Sequence, residues 1–134
     1  VNNEFCYSDR GQPLPNKMWT FRAKPERAKV LNLLGVDVAQ LANNHVYDYG
    51  ADAMNDTFAA LEAAGIPYVG AGKNLDEAMK PYYATVDGKK IAIVAASRAE
   101  KHHRQLILHQ EFLDAMIQSC SYRLLKKQKK MPTM

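Results

Sequence analysis

The order of apolar segments predicts that this chain forms an α/β domain with a mostly parallel sheet. Short strand candidates alternate with segments of helical periodicity up to about residue 96, and such alternation is typical of parallel strands connected by helices. Gly35, Gly65 and Pro81 mark the ends of the helical segments. A length of 134 residues suits one such domain and is too short for two ordinary ones.

A helix and a buried strand are predicted in the first half of this domain. Pro25 fits the first turn of a helix that ends at Gly35. The segment 36–42 is short and largely apolar, as expected of a strand that is buried on both faces. Before Pro25 the signals are weaker, since 1–5 could end a strand and 9–17 is a polar, irregular excursion.

The clearest helix is predicted over residues 51–64. Met54, Phe58 and Leu61 form one apolar stripe along it, and Gly65 closes it. Such a stripe indicates that one face of the helix packs against the core while the other faces water.

A short strand, a short helix and a hairpin complete the predicted domain. The strand covers 66–69, and Asn74 is the expected N-cap of the helix, with Glu77 placed as in a capping box. The segments 82–86 and 89–96 should pair as a hairpin, because the Asp-Gly between them is a strong turn signal.

The charge distribution argues against nucleic-acid binding. Residues 1–101 hold 12 Lys and Arg and 12 Asp and Glu, so the whole net charge of +4 resides in 102–134. No apolar run reaches the roughly 20 residues that span a bilayer, and neither a membrane segment nor a secretory signal is expected in this chain. Cys6 and Cys120 are too few and too far apart to indicate a disulfide framework or a metal site.

Asn44 and His45 are the first candidates for chemistry. An amide oxygen can coordinate a divalent cation, and the adjacent imidazole can bind a metal or donate a proton to a leaving oxygen. Asp48 lies three residues further on, where its carboxylate could orient the imidazole. Gly50 is free to adopt a positive φ where the loop turns into the helix.

A purely structural interpretation of this loop stays open. Asn43 and Asn44 could only cap the turn, while Asp48 or Asp52 caps the helix that follows. Glu4 is the other candidate, because it follows a possible strand end and could share a cleft with the loop. It could equally be an exposed carboxylate near a chain terminus.

The residues around this loop resemble those of CapA-like proteins, a family named for bacterial capsule and poly-γ-glutamate synthesis. The signature LANNH runs from Leu41 to His45 and is followed by Asp48 and Gly50. The opening VNNE is similar to the family's VNLE element, and further elements match in order and spacing. A partial CapA-like domain is therefore predicted over residues 1–101.

The resemblance implies a fold and a site. CapA-like proteins resemble calcineurin-type metallophosphoesterases, which are α/β sandwiches that hold two metal ions (Mn, Zn or Fe) at strand ends. By that analogy Asn44 is a metal ligand and His45 the catalytic proton donor or transition-state stabiliser. Glu4 would be a further ligand. Asp48 and Asn43 would hold the ligands Asn44 and Glu4 in position. Whether the family hydrolyses a substrate or assists polymer synthesis and export, the resemblance leaves open.

The departures from the family predict an inactive fragment. The Gly-Asp element that ends the family's first strand is not found, and His102, His103 and His109 do not match its later histidine motifs. Half of the expected ligand set is absent. The parent protein would act with capsule-synthesis machinery or an anionic polymer, at the cell envelope or extracellular face of a bacterium. The alternative is a small non-catalytic interaction module stabilised by its basic helical tail.

Residues 102–134 are predicted to be an out-of-frame tail, either helical or disordered. Displaced by two bases, the codons from His102 permit PPTTDSAPGVLRCYDP and AEKAKKNADY, and both stretches are similar to CapA-like sequence. The alternative is a genuine basic amphipathic helix that docks a partner or an anionic membrane. Phe112, Met116 and Ile117 do fall at helical spacing.

Overall fold

The computed structural model describes residues 1–97, which form an α/β arrangement as predicted. A 3₁₀ segment, Pro25–Lys29, precedes the first α-helix. In chain order the elements are β1 (Cys6–Tyr7), β2 (Arg22–Ala23), α1 (Val30–Leu33), β3 (Ala39–Gln40), α2 (Gly50–Ala63), β4 (Tyr68–Val69), α3 (Leu75–Ala78), β5 (Tyr82–Val86) and β6 (Lys89–Ile93).

The strands before the hairpin pair in parallel, as the sequence predicts. Strand β3 lies beside β4, with Ala39 opposite Tyr68. The N-terminal segment lies along the other edge of β3, because the Asn3 N–H donates to the Gln40 carbonyl (3.0 Å) and the Gln40 N–H donates to the Val1 carbonyl (2.7 Å). Strands β1 and β2 form a second parallel pair. The loop that follows β3 therefore leaves from the carboxyl end of a central parallel strand.

Several predicted elements are shorter in the structure than their sequence patterns, including the strands predicted over 66–69 and 89–96, which are regular only in β4 and β6. The helix expected from Pro25 begins as the 3₁₀ segment, and α-helical geometry is confined to α1 before Gly35 turns away at φ +65°. The strand predicted over 36–42 is regular only in β3. An apolar run indicates that a segment is buried, not that it pairs with another strand. Regular strand geometry persists only where a neighbouring strand lies opposite.

Helix α2 buries the apolar face that its sequence predicts. Phe58 and Leu61 are fully buried, and Met54 packs at the edge of the same core. The Phe58 ring stacks on the Tyr68 ring with centroids 5.0 Å apart. This contact fixes α2 over β4 and so fixes the position from which the preceding loop approaches.

Polar contacts join α2 to the chain around β1. The Thr57 hydroxyl is fully buried, and it accepts a hydrogen bond from the Tyr7 N–H at 2.9 Å. Asp56 accepts from the Ser8 hydroxyl (2.6 Å) and from the Arg10 guanidinium (2.6 and 3.0 Å). Arg10 and Ser8 hold the pKa of the Asp56 carboxyl below its usual value by stabilising the charged form.

Local signals in the last third of the described chain are confirmed. Asp87 and Gly88 both have positive φ, 49° and 72°, and join β5 to β6 as the Asp-Gly turn predicts. The Asn74 side chain caps α3 by accepting from the Glu77 N–H at 2.9 Å. Glu77 accepts from the Lys73 N–H (3.0 Å) rather than from the N-cap's own amide, so the capping box is incomplete.

Several predictions lie outside the described residues, namely the helical or disordered tail 102–134, its out-of-frame origin and the role of Cys120. Cys6 is a buried free thiol, and burial raises its pKa to about 11. Within residues 1–97, no helix is long and apolar enough to cross a membrane.

Candidate functional site

The predicted site residues lie on the loop between β3 and α2. The Asp48 N–H donates to the His45 carbonyl (3.1 Å) and the Gly50 N–H donates to the Tyr47 carbonyl (2.9 Å), so the loop closes in two tight turns. Gly50 adopts φ +81°, the conformation that its position predicts. Ligand sites in α/β folds form at the carboxyl ends of parallel strands, which is where this loop lies.

Asn43 holds the loop in shape. Its side-chain oxygen accepts from the backbone N–H groups of His45 and Val46, both at 3.0 Å. Its amide nitrogen donates to the Asn3 carbonyl (2.9 Å) and to the Asn2 side chain (3.1 Å). All of its hydrogen-bonding groups are thus engaged within the protein. Asn43 supports the neighbouring residues, as expected, by capping the turn.

His45 and Asp48 form a buried pair. The His45 Nδ1 atom lies 2.8 Å from Asp48 Oδ2, and the Asp48 side chain is fully buried while that of His45 is 11% exposed. A carboxylate oxygen accepts hydrogen bonds, so this contact assigns the ring proton to Nδ1, while Nε2 forms no hydrogen bond found within residues 1–97. The prediction that Asp48 orients the imidazole matches this geometry.

Asp48 is also bonded to two residues that the sequence did not single out. Its Oδ2 accepts from the Phe21 N–H at 2.7 Å, and its Oδ1 accepts from the Lys17 ammonium at 2.5 Å. Lys17 donates to the Asn44 carbonyl as well. The Phe21 ring packs on the His45 ring, with centroids 4.5 Å apart. Lys17 and Phe21 thus hold the Asp48 carboxylate and the His45 imidazole from a segment of the chain outside the loop.

No sequence signal available here could have found Lys17 and Phe21. Both lie in the stretch between β1 and β2, which lacks periodicity, and they reach the loop across 27 to 31 positions of sequence. Their role depends on how an irregular segment folds back, and that path is set by tertiary packing rather than by a local motif.

The helix-capping alternative is wrong for Asp48 and Asp52. The N-cap of α2 is Tyr49, and no side chain caps that position. Asp48 instead points its carboxylate at His45. Of the two asparagines, Asn43 caps the turn and Asn44 does not contribute to it through any hydrogen bond found within residues 1–97.

Asn44 and Glu4, the predicted metal ligands, are both exposed. Glu4 accepts a hydrogen bond from the Asn2 side chain at 2.5 Å, and Asn2 in turn accepts from Asn43. Asn2 therefore bridges Glu4 and the loop through two hydrogen bonds, and the role of Glu4 as a metal ligand stays a prediction.

The donor set suits part of a metal centre rather than a whole one. Within residues 1–97, no three His, Cys, Asp or Glu side chains group in a way that could hold a metal ion. The candidate donors among the described residues are the Asn44 amide oxygen, the Glu4 carboxylate and the Nε2 atom of His45, which can bind a metal or take part in proton transfer but not both at once. Oxygen and imidazole donors of this kind suit Mn, Zn or Fe, but a stable site needs about four ligands.

Comparison with known proteins identifies the family. The model of the family described as bacterial capsule synthesis protein PGA_cap matches residues 1–123. The chain therefore belongs to this family, and the resemblance to CapA-like proteins is confirmed.

Relatives agree with that assignment. The chain is 36% identical over 100 residues to a protein of Mycobacterium tuberculosis named "Probable polyglutamine synthesis accessory protein", covering 75% of this chain and 26% of the relative. It is 39% identical over 77 residues to the capsule biosynthesis protein CapA of Bacillus anthracis, covering 58% and 19%. For the PGA biosynthesis protein CapA of Bacillus subtilis the values are 40% over 68 residues, 50% and 18%. The chain spans about a quarter or less of these relatives.

The family match continues past residue 101, where the sequence analysis places the end of the partial domain. The boundary at 101 and the out-of-frame origin of 102–134 stay predictions. Sequencing the gene tests both predictions. If the reading frame displaced by two bases after codon 101 encodes no CapA-like sequence, the out-of-frame tail is contradicted.

Proposed function

We propose that this chain supplies the Asn-His loop of a metallophosphatase-like centre in a protein of capsule or poly-γ-glutamate biosynthesis. We further propose that the chain as it stands does not catalyse. The observation that carries the proposal is the buried His45–Asp48 pair, with Nδ1 and Oδ2 2.8 Å apart, directly beside the exposed Asn44. A loop used only for capping would not need a buried carboxylate aimed at an imidazole.

His45 is the proposed proton donor. Asp48 holds Nδ1, and Phe21 packs on the ring, so the imidazole can exchange a proton only through Nε2. When hydrogens are on both ring nitrogens, an imidazole fixed in this way can pass the Nε2 proton to a leaving oxygen, and its orientation does not have to be established first. Lys17 balances the charge of the buried Asp48 carboxylate.

Asn44 and Glu4 are the residues proposed to hold a divalent ion. A bound ion would supply Lewis-acid stabilisation of a phosphoryl or related oxygen and would lower the pKa of a bound water. Asn44 offers a neutral amide oxygen and Glu4 a carboxylate, held near each other through Asn2 and Asn43. Within residues 1–97, these two donors fall short of two complete coordination spheres, which supports the proposal of inactivity.

The proposed setting is the bacterial cell envelope, with capsule-synthesis machinery or an anionic polymer as partner. The support is the family description and the names of the relatives from Bacillus anthracis and Bacillus subtilis. Since the chain covers about a quarter or less of those proteins, the activity of the whole protein is part of the proposal.

Calorimetric titration of the full chain with Mn²⁺ or Zn²⁺ tests the metal site. We expect one ion at this site, with affinity reduced about tenfold or more in Asn44→Ala and Glu4→Ala. Asn55→Ala is a matched control, because Asn55 is exposed on α2, away from the loop. A variant with His102, His103 and His109 all changed to alanine separates this site from the tail histidines.

The outcomes are distinct. Binding that is unchanged in Asn44→Ala and Glu4→Ala, or that is lost only with the tail histidines, contradicts the proposed ligands. No binding, together with cooperative unfolding, contradicts the metal site and favours the interaction module. Turnover of p-nitrophenyl phosphate that disappears in His45→Ala would overturn the proposal that the chain is inactive.

A further inference from the structure

A shallow cavity of about 450 Å³ adjoins the candidate site. Its walls are Glu4, Phe5, Thr20, Phe21, Arg22, Ala23 and Tyr49. Two of these residues also belong to the site, since Glu4 is linked to the loop through Asn2 and Phe21 packs on His45. A molecule in this cavity would therefore lie next to the imidazole and the proposed metal ligands.

Arg22 is the cationic group of this cavity, and Tyr49 holds it in place. The guanidinium carbon lies 4.4 Å from the centroid of the Tyr49 ring, a cation–π contact that restricts the side chain. The Tyr49 hydroxyl is in turn 3.4 Å from the Thr20 hydroxyl. Arg22 thus enters the cavity on a positioned ring, with two hydroxyl groups along the same wall.

Among residues 1–97, no acidic side chain engages the Arg22 guanidinium. Within the described part of the chain, Arg22 forms no ion pair, whereas Arg10 is paired with both Asp52 and Asp56. A guanidinium presents a planar fork of donors that matches the two oxygens of a carboxylate or a phosphate. Stacking on tyrosine leaves that edge available, because the ring contacts only its face.

We propose that Arg22, held by Tyr49, is a specificity-determining residue that binds an oxyanion, carboxylate or phosphate, of a ligand whose reacting group lies at His45. The proposal rests on the proposed function for the location of the reacting group. The anion-binding step itself needs only residues of the cavity and does not require a metal ion.

The Glu4 carboxylate leads to a second prediction, in which the effect on anion binding has the opposite sign. Its carboxylate lines the same cavity as Arg22 and repels an anion whenever no cation is bound beside it. In metal-free protein, Glu4→Gln should therefore strengthen oxyanion binding while Arg22→Gln weakens it. A merely structural role for Arg22 would not produce effects of opposite sign.

Titration followed by NMR tests the proposal on the full chain, with chelator present to exclude metals. Sodium glutarate and inorganic phosphate are the two probes, and sodium chloride at equal ionic strength controls for screening. The Arg22 side-chain and Tyr49 ring signals should shift with at least one probe. We expect the dissociation constant to rise about tenfold or more in Arg22→Gln and less in Arg22→Lys, which keeps charge but loses the fork.

Arg27→Gln is the matched control, because it removes the same charge from an exposed position that does not line the cavity. The probe that binds more tightly identifies whether carboxylate or phosphate is preferred. Shifts equal to those with chloride, or equal affinities in Arg22→Gln and Arg27→Gln, would overturn the proposal. Since no metal is present, failure here is separate from failure of the calorimetric titration.

Discussion

The loop 43–50 and the hairpin 82–93 both begin from short sequence motifs, yet different interactions hold them. In the hairpin, adjacent residues make the turn, and most side chains of β5 and β6 face water, with Val86 51% exposed. In the loop, His45 and Asp48 are buried and their partners come from distant segments. A local motif is enough to form a turn, whereas a reactive constellation needs a surrounding tertiary structure.

The largest expected effect is the removal of the buried carboxylate in the loop. Asp48→Ala leaves the Lys17 ammonium, the His45 Nδ1–H and the Phe21 N–H without their acceptor. We expect the free energy of unfolding to fall by about 3–5 kcal/mol, because the His45 and Phe21 donors lose their buried acceptor and the partly exposed Lys17 ammonium loses its counter-charge. Urea denaturation measures it.

Asp52→Ala is the control for this prediction, since it removes an exposed carboxylate only a few residues away. It should change the free energy of unfolding by no more than about 0.5 kcal/mol. If Asp48→Ala and Asp52→Ala lower the free energy of unfolding by similar amounts, the tertiary contacts of Asp48 do not stabilise the loop as claimed.

The contrast between loop and hairpin also explains what the sequence could predict. The Asp87-Gly88 turn, the Asn74 cap, the buried stripe of α2 and the positive φ of Gly50 follow from local chemistry, and the structure confirms them. The contact between His45 and Asp48 also agrees with their spacing of three residues in the sequence. Lys17, Phe21 and Arg22 could not be foreseen, because their positions depend on an irregular segment that carries no periodic pattern.

A pair of glycines offers a second test of the comparison. Gly70 and Gly88 have similar φ angles, +82° and +72°, but their surroundings differ. A Cβ on Gly70 would lie 2.6 Å from the Ala42 Cβ and 2.8 Å from the Ala95 Cβ, whereas one on Gly88 meets nothing within 4 Å. Ala42 directly precedes the loop 43–50, so Gly70 packs against the base of that loop.

We expect Gly88→Ala to cost about 1–2 kcal/mol, the strain of an alanine at positive φ. Gly70→Ala should cost about 1–3 kcal/mol more, because overpacking adds to the same strain. Thermal or urea unfolding of both variants gives the difference. Equal losses would show that the close packing behind the loop contributes nothing.

The smallest expected effect concerns acid stability. The folded-state pKa of Asp56 is depressed, so this carboxylate contributes stability above its unfolded pKa of about 3.8. That contribution is lost as the pH falls through the lower folded pKa. Asp56→Asn should therefore lower stability near neutral pH and reduce the loss on acidification below about pH 4. Unfolding curves at several pH values measure this difference. The same dependence of stability on pH in the unchanged protein and in Asp56→Asn would contradict the prediction.

The central claim is that Asp48 presents His45 to the site through Nε2. NMR of the ¹⁵N-labelled imidazole tests it most directly, at alkaline pH where the ring is neutral, with His45→Gln to assign the signal among the four histidines. We predict that the proton resides on Nδ1, and that this preference is lost in Asp48→Ala. A ring protonated on Nε2, or one with the same tautomer in both proteins, would contradict the claim.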